Sequence, residues 1–67
     1  MEKDQIMALS RQFFIETRGG TKPISLSAPT FLKIQENLES IEQVNTPGVK
    51  RMVDIFKNMK KVNTVRG

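Results

Sequence analysis

A small all-α protein, a three-helix bundle with helices over about residues 4–18, 30–43 and 47–61, is what the sequence predicts. Three observations carry that expectation. Apolar residues recur at spacings of three and four in three separate segments, the period of one helix face. Turn-forming residues cluster between those segments, as "GGTKPISLSAP" over residues 19–29 and as Thr46-Pro47. The links are short and no internal repeat is present, so neighbouring helices have little choice but to pack on one another.

In the first segment Asp4 is the expected N-cap, and Gly19-Gly20 is the expected left-handed stop. Ile6, Leu9 and Phe13 share one face, while Met7 and Phe14 form a second apolar stripe about 90° round, with Ser10 and Thr17 between. A helix that is apolar on two sides wants two neighbours: two helices of its own chain, or one of its own and one from a second copy or a dedicated partner.

The connector 19–29 holds two Gly and two Pro. Within it "ISLS" alternates apolar and polar, the pattern of a very short strand, although a lone strand has nothing to pair with except another chain. The second helix is expected to start from Ser27 or Thr30, with Pro29 tolerated in the first turn. Phe31, Ile34, Leu38 and Ile41 then form a narrow seam. Leu32 lies off that seam and is expected to meet the connector or a partner.

The third helix has the strongest start signal in the chain, Thr46 as N-cap and Pro47 at the first helical position. Val49, Met52, Phe56 and Met59 form its main face, widened by Val53, Ile55 and Val62. Lys60 interrupts that face, and "NTVRG" reads as a frayed basic tail.

Sixty-seven residues make one domain, 1–67, with a thin stability margin. The chain has no Cys and no His, which removes disulfides, the common zinc sites, and the usual general bases and thiol nucleophiles. No enzyme activity, cofactor or metal is therefore expected. The longest apolar run, Phe13-Phe14-Ile15, is far too short to span a membrane. The segment after Met1 does not resemble a secretory leader, and a cytoplasmic location is expected.

The charge is unevenly spread. Glu36, Glu39 and Glu42 give residues 36–44 a net −3, whereas Lys50, Arg51, Lys57, Lys60, Lys61 and Arg66 against Asp54 give residues 45–67 a net +5. The three Glu drift round a helix surface and do not converge on one ion, so they read as a solvated face that helps align the basic helix. "GGTK" at 19–22 lacks the spacing of a phosphate loop, and a single Arg18-Gly19-Gly20 triplet reads as a helix C-cap.

Lys50, Lys57 and Lys61 are spaced seven and four apart, so they fall on one side of the third helix, opposite the Val49–Phe56 face. With Arg51 and Arg66 assisting, this ridge is the candidate phosphate-binding surface. The competing expectation is a solvated face that provides solubility. No Tyr or Trp is present to stack bases, so sequence-independent contacts are expected. Two function classes follow: a small nucleic-acid-associated regulator acting through the third helix and tail, or a protein-binding module (a small inhibitor, adaptor or assembly factor) using Met7, Phe14 and Leu32 or the narrow seam of the second helix.

Overall fold

The computed structural model describes the backbone of residues 1–66 and the side chains of residues 1–59. Its elements are α1 (Lys3–Glu16), a single-turn 3-10 helix (Pro23–Ser25), α2 (Ala28–Glu36), α3 (Leu38–Glu42) and α4 (Pro47–Arg66). The all-helical bundle expected from periodicity is the observed architecture. The 3-10 turn stands where "ISLS" offered a short strand. The segment expected as one second helix is two.

α1 begins two residues earlier than the Asp4 signal suggests. Glu2 is its N-cap residue, and its backbone N–H donates to Gln5 Oε1 at 3.1 Å, half of a capping box. Asp4 then lies in the first turn, where a carboxylate suits the helix dipole. The other end is a Schellman motif. Gly19 N–H donates to the Phe14 carbonyl at 2.8 Å, and the left-handed C′ position is Arg18 (φ 54°), not a glycine. Gly19 and Gly20 continue left-handed at φ 71° and 89°. The fully buried Thr17 locks this reversal: its hydroxyl donates to the Phe13 carbonyl at 2.7 Å and accepts the Gly20 N–H at 3.1 Å.

The second helix breaks at Asn37 (φ −115°, ψ 17°). Its amide Nδ2 donates to the Lys33 carbonyl at 2.8 Å, and its own N–H reaches only the Ile34 carbonyl, three residues back. An Asn side chain that bonds nearby backbone competes with the helical ladder. Ile34 and Ile41, on either side of the break, are both fully buried.

α1 and α3 pack on α4, α2 packs on α1 and α3, and the 3-10 turn also meets α4. The core is Ile6, Leu9, Phe13, Ile34, Ile41, Val49, Met52 and Phe56. Phe31 and Leu38, expected in that core, are half-buried against it. The Phe31 and Phe56 rings meet at a centroid distance of 4.9 Å. α4 starts as its cap signal indicates, with Lys50 N–H donating to the Thr46 carbonyl at 2.9 Å. Its helical backbone runs to Arg66 rather than ending near 61. The side chains of Lys60, Lys61, Val62 and the expected frayed tail lie outside the described residues.

Phe56 has no solvent exposure, and Phe56→Ala is expected to cost about 3–5 kcal/mol. A domain of this size holds about 3–10 kcal/mol in all, so chemical denaturation should find the variant largely or wholly unfolded. At Gly20 an added Cβ would lie 2.7 Å from Ile55 Cδ1 on a backbone with φ +89°. Gly20→Ala should therefore lower the melting temperature. Arg18→Gly, which relieves a left-handed non-glycine residue costing about 1–2 kcal/mol, should raise it.

Candidate nucleic-acid interface

α4 has two sides. Val49, Met52 and Phe56 are 0–1% exposed, and this burial fixes which way the helix faces. Lys50, Arg51, Asp54 and Lys57 are all exposed on the remainder of its surface. Among the described residues Lys50 and Arg51 make no ion pair. Lys57 does: its Nζ contacts Glu42 Oε2 at the end of α3, with side-chain exposures of 56% and 38%. The acidic segment thus meets the basic helix at this contact, as its charge suggested. Asp54 falls between Lys50 and Lys57, four residues after one and three before the other, and dilutes the positive field. The side chains of Lys61 and Arg66 lie outside the described residues.

A shallow groove of about 250 Å³ runs between α3 and α4, with Ile41, Val44, Val49 and Val53 among its lining residues. Lys50, Asp54, Lys57 and Glu42 also line it. Charged groups of both signs therefore flank an apolar strip beside the candidate surface.

The phosphate-loop alternative at 19–22 has no backbone donors left. Gly19, Gly20, Thr21 and Lys22 all direct their backbone N–H groups into the turn itself, to Phe14 O, Thr17 Oγ1, Arg18 O and Thr17 O. No group of three or more acidic side chains among the described residues is arranged to hold a metal ion. No helix among them is long and apolar enough to cross a membrane.

Of the candidate protein-binding residues, Met7 and Phe14 are half-buried and packed against the core. Phe14 stacks edge-on to Phe13 at 5.2 Å, and its ring and Ile55 flank Gly20. Their own chain covers part of the stripe that the spacing offered to a partner. Leu32 is 51% exposed. The most exposed large apolar side chains among the described residues have no place in the periodic stripes: Ile24 at 95% and Ile15 at 71%. Ile15 lies on the far side of α1 from Ile6, Leu9 and Phe13, which was readable from the helical wheel. Ile24 sits in the connector, where no period applies.

A second depression, about 380 Å³, lies between α1 and α2 and includes Ala8, Leu9, Gln12, Pro29, Thr30 and Lys33 in its walls. Two of its polar groups already serve Glu16. Gln12 Nε2 donates to Glu16 Oε2 at 2.7 Å, and Thr30 Oγ1 donates to the same oxygen at 2.8 Å. The N–H of Ser27, the N-cap residue of α2, donates to Glu16 Oε1 at 2.8 Å. A carboxylate on α1 therefore caps α2 from outside.

No family model, curated protein or solved structure matches this chain.

The Gln12 side chain, the Ser27 N–H and the Thr30 hydroxyl, in that order, hold the Glu16 carboxyl at about 2, down from 4.5. Because the folded value is the lower one, this stabilisation is fully present above pH 4.5 and is lost as pH falls towards 2. Glu16→Ala should cost about 1–2 kcal/mol at neutral pH. It should also flatten the acid limb of a stability–pH curve measured by denaturant titration.

Proposed function

We propose that the protein is a small, non-enzymatic regulatory protein that associates with nucleic acid through the outward face of α4. One observation carries this reading. Val49, Met52 and Phe56 of α4 are fully buried, so Lys50 and Arg51 are held outward on a rigid element, exposed and without an ion pair among the described residues. Such cations bind a phosphate backbone by releasing its condensed counterions. The chain's segregated charge, +5 over residues 45–67, supports the same reading by drawing a polyanion to this end of the sequence. Base stacking contributes little in a chain without Tyr or Trp. The contacts therefore position the protein on nucleic acid without reading its sequence. A cytoplasmic setting belongs to the same proposal.

A second reading, a protein-binding module, is favoured by a different observation. Ile24, Ile15 and Leu32 expose much of their apolar surface, and such residues mark contact sites when they gather into a patch. A second copy of the chain or a foreign protein would cover them.

Titration with duplex DNA over a range of salt concentrations separates the two. Each neutralised phosphate contributes about 0.9 to the slope of log affinity against log salt. Lys50→Ala with Arg51→Ala should therefore flatten the slope by about 1.8 and weaken binding to all sequences alike. Unchanged affinity and slope, in a variant that melts like the wild type, would leave the α4 face a solubility device. Sedimentation that depends on protein concentration or on Ile24 and Leu32 would then favour the protein-binding reading.

A further inference from the structure

We infer that Glu42 sets the anion affinity of the α4 face by holding Lys57 away from phosphate. The inference rests on the phosphate-binding reading of α4. It starts from an asymmetry along that face. Lys50 and Arg51, near the start of α4, form no ion pair among the described residues, whereas Lys57, two turns later, is in contact with the Glu42 carboxylate.

Glu42 is the last residue of α3. A carboxylate there faces unsatisfied carbonyl groups and is disfavoured by its own helix. What stabilises it in that place is the ammonium group across the groove. Asp54 adds a second carboxylate on α4 itself, within one turn of both Lys50 and Lys57. A phosphate approaching Lys57 must therefore displace one carboxylate and tolerate another, while at Arg51 and Lys50 it displaces none.

The pair is exposed on both sides, so it is weak and a dense polyanion can break it. An isolated anion gains little by exchanging with Glu42. A nucleic acid already held at Lys50 and Arg51 delivers its next phosphate to Lys57 at high local concentration. Glu42 would thus disfavour single phosphates and short oligonucleotides more than long duplexes.

The test is a four-protein cycle: wild type, Glu42→Gln, Lys57→Gln and the double variant. Each is titrated with a duplex at several salt concentrations, with thermal melts confirming the fold. Glu42→Gln is expected to bind about 1.5- to 5-fold tighter, the factor matching the strength of an exposed ion pair. Its salt slope should be steeper by as much as about 0.9. In the Lys57→Gln background the same change should have little effect. Equal gains in both backgrounds would reduce Glu42 to a general contribution to net charge and overturn the inference. So would a wild type that binds with a slope dependent on Lys50 and Arg51 while Glu42→Gln binds no better. If neither wild type nor Glu42→Gln binds duplex at low salt, the phosphate-binding reading itself fails and takes the inference with it.

Discussion

The burial of one face of α4 is the constraint on which the rest of this small fold depends. Val49, Met52 and Phe56 lie at the centre of the core, and α1, α3 and the 3-10 turn all pack on the helix that carries them. With no disulfide available, this packing, the hydrogen bonds around it and the exposed Lys57–Glu42 pair hold the described elements together. The same burial decides the exposed surface. A helix whose apolar half is fixed inward has no freedom to turn its lysines elsewhere, so the geometry of Lys50, Arg51 and Lys57 follows from the core.

Two polar devices let short helices reach that core. At Thr17–Gly20 three consecutive left-handed residues reverse the chain, tied by the buried Thr17 hydroxyl. Glycine tolerates such backbone and arginine does not, yet Arg18 occupies the first of these positions. Glu16, one residue before the reversal, reaches forward to the start of α2. The connector is therefore closed at both ends by side chains from the C-terminal end of α1 and its cap, Thr17 and Glu16. Packing of α2 against α1 is accordingly a matter of one carboxylate and two donors at the start of α2, the Ser27 N–H and the Thr30 hydroxyl, as well as of apolar area.

The exposed face of α4 shows how little a count of charges says about their availability. Lys50 and Lys57 occupy similar positions on the helical wheel and have the same chemistry. One makes no ion pair among the described residues and the other is joined to Glu42. Asp54 lies between them, and the nearby groove carries both signs. A surface of this kind suits weak, adjustable electrostatic association better than tight, specific recognition.

Much of this was legible from local pattern. The three apolar stripes, the Thr46-Pro47 start of α4, the outward direction of its lysines and the stop after α1 are all properties of residues close together in the chain. They are set by helical period and by backbone preferences that do not wait for a partner. The break at Asn37 has no counterpart in the apolar period, which runs without interruption from Phe31 to Ile41; it goes with an Asn side chain that takes the Lys33 carbonyl from the helical ladder. The role of Glu16, eleven residues before Ser27 and fourteen before Thr30, has no periodic signal at all. The same holds for Glu42 and Lys57, which are fifteen positions apart and on different helices. The coverage of Phe14 likewise depends on α4, whose Ile55 lies with it over Gly20. Sequence alone determined which faces are apolar and where helices begin, because those depend on local geometry. Tertiary structure decided which polar groups pair and which apolar ones remain exposed, because those depend on how separate helices are brought together.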